Sequence, residues 1–311
     1  MNGCTETGKR VQVLLSTYNG ERYLREQLDS FISQTVFDAM SVLIRDDGST
    51  DSTRDILSEY AQRYGFVVEY GENVGITESY LWLLRHSDRN TEYFAFSDQD
   101  DVWLPDKISQ VLAAVDGEKT DMPILCGTLS HLVGQDLQSI GDLPVPKRPV
   151  SFYNAMIQNV IPGHTQIINR TMVECLARCG SEGIHVMDWW VYLVCSAIGK
   201  VVFLPEYTVQ HRVHTANAVG VNKGFFEGLA RRIAYIRDGK GNAIAKQLQA
   251  LLQVFGPEMP EAYRDETKKF LDSQSAFAER LRYAASCKAY RQSIKEDLAF
   301  RLLYLLGKYK V

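Results

Sequence analysis

Apolar runs and amphipathic stretches alternate along the first hundred residues. Val11-Gln12-Val13-Leu14-Leu15 predicts a buried strand. Leu24, Leu28, Phe31 and Ile32 then recur at i, i+4, i+7 and i+8, one apolar face of a helix, with Asn19 as its expected cap. Ser41-Val42-Leu43-Ile44 predicts a second strand, and Ile56, Leu57 and Tyr60 carry the next helix behind a capping box of Ser52 and Asp55. Phe66–Tyr70 predicts a third strand, Asn73-Val74-Gly75 a turn, Tyr80–Leu84 a helix and Tyr93–Phe96 a fourth strand.

Repeated strand–helix alternation predicts an α/β fold around a mainly parallel sheet. Such sheets bind ligands at the carboxyl ends of their strands. Polar clusters follow each strand there: Ser16–Asn19, Asp46–Ser49, Asn73–Gly75 and Asp98–Asp101.

The middle of the chain is less regular. Leu143–Pro149 is a proline-rich connector, Pro162–Thr165 a turn, and Gln166-Ile167-Ile168 a strand. Asp188 opens a helix, Trp189–Ile198, that Gly199 stops, and Lys200–Leu204 is a further strand. Beyond Gly220 the pattern is helical, which predicts one domain over residues 1–220 and a helical extension over 221–311.

Charge adds an asymmetry that periodicity does not show. The net charge is −4, but residues 1–220 carry 17 basic against 28 acidic groups, a net −11, whereas residues 221–311 carry 17 against 10, a net +7. A basic tail points to an anionic partner such as lipid head groups, or to an ordinary solvated helical surface. The amphipathic segment Arg301–Lys308 has basic flanks that suit a membrane surface, but a terminal helix packed on the core is the preferred reading. The six cysteines form no CxxC pair, and no apolar run reaches transmembrane length. With no signal-peptide pattern at the start, the expectation is a cytoplasmic protein, peripheral at most to the inner membrane face.

The densest chemistry lies in Phe96-Ser97-Asp98-Gln99-Asp100-Asp101-Val102-Trp103. Three carboxylates within four residues repel unless something shares their charge, and a hard divalent cation does so through oxygen ligands. A capped turn is the alternative. An EF-hand is excluded, because Trp103-Leu104-Pro105 interrupts the pattern and no glycine follows at loop position six.

Val13–Gly20, Arg45–Asp51 and Phe96–Trp103 together resemble the three sequence blocks of family 2 glycosyltransferases, in content, order and spacing. Ile161–Thr165, Met187–Trp190 and His211–Asn217 look like the branch holding bacterial rhamnosyltransferases of surface polysaccharide synthesis. The resemblance spans roughly residues 10–220. It implies the GT-A fold, a nucleotide-sugar donor, a Mg²⁺ or Mn²⁺ cofactor and no nucleic-acid partner.

It also implies roles. Ser16 and Tyr18 match positions that hold the nucleoside, the tyrosine by stacking. Asp47 matches a carboxylate that accepts from the pyrimidine ring N–H, with Asp46 in the same pocket; this favours uracil or thymine over cytosine, which has no proton there. Asp98 matches the ribose-side carboxylate, Asp100 the metal ligand, and Asp101 a supporting residue or helix cap. His214 matches a histidine near metal or diphosphate, while Gly163 and His164 wall the donor sugar. Asp188 matches the base that deprotonates the acceptor, giving inversion, and flanking tryptophans would raise its basicity by desolvation. Relatives often carry His immediately before this Asp; here Met187 stands there and His185 lies two residues earlier. His211 ranks below His214, and a zinc pair of the two is not expected, since no further His or Cys is foreseen nearby.

The expected activity is transfer of L-rhamnose from dTDP-L-rhamnose to a saccharide or lipid-linked saccharide acceptor. A UDP-hexose or UDP-N-acetylhexosamine donor is the alternative. A pyrophosphorylase would need a Gly-rich phosphate loop after the first strand, which Ser16-Thr17-Tyr18-Asn19 is not. An inactive nucleotide-sugar-binding scaffold is opposed by the intact Asp98, Asp100 and Asp188.

Overall fold

A computed structural model of the chain describes residues 10–119, 121–213 and 242–309. The described residues fall into two compact units. One lies within Met1–Pro144, Ile161–Gly180 and Val202–Thr215, the other within Val145–Val160, Ser181–Val201 and Ala216–Val311. The segments 145–160 and 181–201, placed by sequence in the first domain, are therefore part of the second compact unit.

The first unit is built on β1 (Val11–Thr17), β2 (Met40–Asp46), β3 (Val67–Tyr70) and β4 (Tyr93–Ser97). These pair in parallel in the order β3-β2-β1-β4, with Thr17 beside Asp46 and Leu15 beside Ser97. Val11, Val13, Leu14 and Leu15 are wholly buried, as a strand covered on both faces requires. Helices α1 (Leu24–Ile32), α2 (Thr53–Tyr64) and α3 (Ile76–His86) connect the strands. Leu24, Leu28 and Phe31 are buried with the β1 and β2 side chains in one core.

Two capping expectations fail. Helix α1 starts at Leu24 behind Tyr23, not at Asn19. Asn19 adopts φ 47°, a left-handed conformation that asparagine tolerates, and ties two loops instead: its N–H donates to Ser49 Oγ (2.9 Å) and its Oδ1 accepts from Thr50 N (2.8 Å). Ser52 precedes α2 without a side-chain cap; Asp51 Oδ1 accepts from Thr53 N at 3.0 Å and supplies that bond.

Past β4 the sheet turns antiparallel. It continues through β8 (Gln166–Asn169), β6 (Ile124–Val133), β9 (Lys200–Arg212) and the two-residue β5 (Val102–Trp103), with β7 (Ser139–Asp142) on the side of β6. The parallel character read from the sequence thus holds for the first four strands, and the whole sheet is mixed. Helices α4 (Lys107–Val115) and α6 (Arg170–Ala177) complete this unit.

The second unit is helical. Its described elements are α5 (Phe152–Ala155), α7 (Met187–Ile198), α8 (Ala243–Phe255), α9 (Glu261–Asp272), α10 (Phe277–Ser286) and α11 (Ile294–Leu305). Trp190 is buried and its ring lies 6.2 Å from Phe255.

Candidate active site

Strand order reverses between β1 and β4, so the crevice at their carboxyl ends is the topological switch point where such sheets bind ligands. Gln99 bridges it: Oε1 accepts from Thr17 Oγ1 (2.6 Å) and Tyr18 N (2.9 Å), and Nε2 donates to Tyr18 O (3.2 Å). These bonds fix the backbone of Tyr18 while its side chain stays 46 % exposed. Ser16 is buried, its Oγ 2.7 Å from Ser79 Oγ on α3.

The β2 end holds two buried carboxylates whose charge is answered from within. Asp46 accepts from Ser49 N and from Arg54 Nε (2.8 Å). Asp47 pairs with Arg45 and accepts from Val74 N and Gly75 N, each at 3.0 Å. Gly48 makes the intervening turn at φ +86°, and a Cβ there would meet Asn73 N at 2.9 Å. A carboxylate offers about four acceptor directions, so Asp47 keeps roughly one for a ligand.

The β4 end is answered differently. Asp98 is 41 % exposed along its side chain, whereas Asp101 is wholly buried. Asp101 Oδ1 accepts from His211 Nδ1 (2.8 Å) and Arg212 N (3.2 Å). Burial pushes the Asp101 carboxyl up, but the His164 charge and the bonds from His211 and Arg212 outweigh it and hold it below its ordinary value. Burial likewise lowers His211, and the bond to Asp101 with that carboxylate's charge overrides it, leaving the imidazole raised.

His164 stacks on His211, centroids 4.2 Å apart and planes within 8°. Its Nε2 meets Ser130 Oγ at 3.0 Å, and its backbone oxygen accepts from Lys107 Nζ at 2.7 Å. Lys107 is fully buried, and burial lowers it to about 7 against the pull of Asp101, Cys126 and Asp98. Arg212 binds Asp100 O (2.8 Å) and Glu26 (2.5 Å), securing the acidic loop from behind.

One expectation changes here. Asp101, read as a supporting residue or helix cap, is the buried centre of this cluster, and a further histidine does stand beside His211, namely His164. Asp101, His164 and His211 bring donor atoms within 4.8 Å of one another. Asp101 Oδ2 has no hydrogen-bond partner among the described residues. His164 Nδ1 lies 3.7 Å from that oxygen and 3.7 Å from Asp98 Oδ2. That separation is too long for a hydrogen bond and suits two ligands of one cation at about 2.1 Å each. Parallel rings keep their lone pairs in separate planes, so one histidine at a time can aim at such an ion. An orphaned anionic oxygen among carboxylate and imidazole donors fits a divalent cation. His214 lies outside the described residues.

Asp188 belongs to the second unit, as the second residue of α7 behind Val186 rather than as its cap. Its Oδ1 accepts from Trp189 N at 2.6 Å, and Trp189 Nε1 donates to Ala155 O at 2.7 Å. His185 approaches Trp189 edge-on at 6.3 Å. Gly163 and His164 form a single 3-10 turn before β8 in the first unit.

Residues 12–166 match the family model described as glycosyl transferase family 2. The chain belongs to that family. Among curated relatives, this glycosyltransferase is 26 % identical over 236 residues to the dTDP-rhamnosyl transferase RfbG of Shigella flexneri, covering 72 % of this chain and 79 % of that one. It is 30 % identical over 173 residues to the putative glycosyltransferase EpsH of Bacillus subtilis, covering 53 % and 48 %. Its GT-A fold is shared with S. aureus TarS 1-349 in complex with UDP, at TM-score 0.55 and 16 % identity over 96 % of this chain and 89 % of that one. The mannosyltransferase PcManGT of Pyrobaculum calidifontis, in complex with GDP-Man and Mn²⁺, superimposes at TM-score 0.54 and 17 % identity over 97 % and 86 %.

Several residues around the candidate site escaped the sequence: Gln99, Lys107, Arg45 and Arg212. Two of them carried a weak signal. Gln99 sits inside the acidic block, and Arg45 is a charge closing an otherwise buried strand, which demands a partner.

Proposed function

We propose that this glycosyltransferase is inverting and metal-dependent, and moves L-rhamnose from dTDP-L-rhamnose to a saccharide or lipid-linked saccharide acceptor of a cell-surface polysaccharide. The observation that carries this is the convergence of Tyr18, Asp47 and Asp98 at the carboxyl edge of β1, β2 and β4. The Shigella relative's name supports the rhamnosyl donor. Tyr18 stacks on the base, and Asp47 uses its remaining acceptor direction for the pyrimidine ring N–H, with Asp46 and Ser16 completing the pocket. Asp98 accepts from ribose, and Gly163 with His164 lines the donor sugar.

Asp100 and His214 would hold Mg²⁺ or Mn²⁺, with the neighbouring donors Asp101 and His164 beside them. A bound cation supplies charge neutralisation for the departing diphosphate. Asp188 takes the proton of the acceptor hydroxyl. The freed oxygen bonds to the anomeric carbon on the face opposite the leaving diphosphate, whose C–O bond breaks with its electron pair, so configuration inverts. Asp188 sits on α7, in the second compact unit.

No helix among the described residues is long and apolar enough to cross a membrane. We place the protein in the cytoplasm, touching the inner membrane face through the basic stretch of residues 221–311. Asp188→Asn lowers turnover about 10²–10⁴-fold with nucleotide affinity retained; full activity in that variant removes the base assignment. A thermal-shift panel of nucleotide sugars with Mn²⁺ tests the donor. Stabilisation by dTDP over UDP supports rhamnose, a UDP preference favours the hexose donors, and a GDP preference removes the pyrimidine assignment.

A further inference from the structure

Helix α11 is apolar on two faces, and only one is covered. Ala299, Phe300, Leu303 and Tyr304 are buried. Ile294, Leu298, Leu302 and, just past the last turn, Leu306 stand between 50 and 75 % exposed at four-residue spacing, which places them along one side of the helix. Single exposed leucines are ordinary on any surface, but an aligned row is not.

The neighbouring helix extends the row. Arg280 Nε donates to Leu305 O (2.9 Å), and Arg301 donates to Ala284 O (2.5 Å), so α10 and α11 lie side by side and antiparallel. The exposed Phe277 and Leu281 of α10 therefore flank the Leu302–Leu306 end. Together the two helices present one apolar ridge of six large side chains.

The charges around the ridge are sorted by sign. Its acidic neighbours are engaged within the unit: Glu279 accepts from Ser275 Oγ (2.7 Å), Glu296 pairs with Arg291 (3.4 Å), and Asp297 with Arg301 (3.5 Å) and Arg148 (3.7 Å). Lys295, Lys308 and Arg282 are exposed and make no ion pair among the described residues. The surrounding stretch 221–311 carries a net +7. A second copy seated on the ridge would bring these cations against their own like, which costs energy. An anionic bilayer surface instead accepts the apolar row among its acyl chains and the lysines among its phosphates.

We propose that the α10–α11 ridge is a membrane-docking face that inserts Ile294, Leu298, Leu302, Leu306, Phe277 and Leu281 into an anionic phospholipid surface. This deepens, and rests on, the membrane contact proposed above, and gives it an apolar contribution that net charge alone does not.

The test is flotation of the full chain with phosphatidylcholine vesicles, with and without phosphatidylglycerol, beside transfer assays on a soluble saccharide. The wild type floats with the anionic vesicles only. Leu298→Glu combined with Leu302→Glu lowers bound protein about tenfold or more at low salt, where charge alone would hold it. Lys295→Glu combined with Lys308→Glu weakens binding and flattens its salt dependence. All four side chains are exposed, and the soluble transfer rate stays unchanged, so loss of binding is not loss of fold. Absence of wild-type flotation overturns the proposal, as does undiminished flotation of the double-glutamate variant. So does a wild-type dimer, seen by sedimentation, that the same variant dissociates. Flotation with no transfer from any nucleotide sugar supports the docking face and removes the donor assignment alone.

Discussion

Two acidic loops close neighbouring parts of the same sheet edge and handle their charge in opposite ways. After β2, Asp46 and Asp47 are buried and their charge is answered from within, by Arg54, Arg45 and the backbone N–H groups of Ser49, Val74 and Gly75. After β4, Asp98 stays partly exposed, and Asp101 keeps one buried oxygen with no hydrogen-bond partner among the described residues, beside a histidine stack. The first loop is a finished structure with room for a hydrogen bond to a ligand. The second is an unfinished one that invites a cation. Similar residue types therefore point to different chemistry once their partners are counted.

The largest effect should come from breaking the first loop. Asp47→Ala leaves Arg45 buried without its carboxylate and strips acceptors from Val74 N and Gly75 N. Removing one member of a buried ion pair costs about 3–5 kcal/mol. Urea unfolding should show that loss, and pairing Arg45→Met with Asp47→Leu should restore part of it. A cost below about 1 kcal/mol would mean that the loop does not neutralise itself.

The second loop should respond to metal instead. A ligand that binds only the folded state stabilises it by about 2.7 kcal/mol at a hundred times its Kd. Mn²⁺ should raise the melting temperature of the wild type, and Asp100→Asn, Asp101→Asn and His164→Gln should each reduce that increment. Asp46→Asn should keep it. Thermal unfolding across a Mn²⁺ titration reads all of these. An increment lost equally in the Asp46 variant would erase the distinction between the loops.

How much of this was legible follows the range of the contacts. β1 to β4 and their carboxyl-end clusters could be read because each strand carries a short apolar run and each intervening helix keeps its period. The antiparallel half could not: β5 is two residues long and pairs with Val209 and Gln210, a partner no local pattern reveals. The Asp47 cluster was visible as a motif, but its bonds from Val74 and Gly75 needed the turn before α3 in place. The centrality of Asp101 was hidden because His164 arrives from the turn before β8 and His211 from β9, both distant in sequence. Asn19 and Ser52 misled for one reason: both are good cap residues, but here Asn19 is engaged by bonds to the loop after β2, and Asp51 rather than Ser52 bonds the first N–H of α2.

The smallest effect is a pH dependence at the rim of the first loop. Asp51 joins that loop to the one after β1, accepting from Glu21 N (3.2 Å) as well as from Thr53 N. Partial burial pushes its carboxyl up, but the Thr53 and Glu21 donors outweigh this and hold it below its ordinary value. A carboxyl lowered on folding stabilises the native state fully above its unfolded value of about 3.9, and that stability is lost as pH falls through the lowered folded value. Solvent screening keeps the contribution to a few tenths of a kcal/mol. Asp51→Asn should therefore be slightly less stable than the wild type at neutral pH, with the difference closing in acid. Urea unfolding from neutral pH down to about 3 measures it. A difference that widens in acid would show that the donors around Asp51 do not favour its charged form, and that the first loop is less completely satisfied than its buried pair implies.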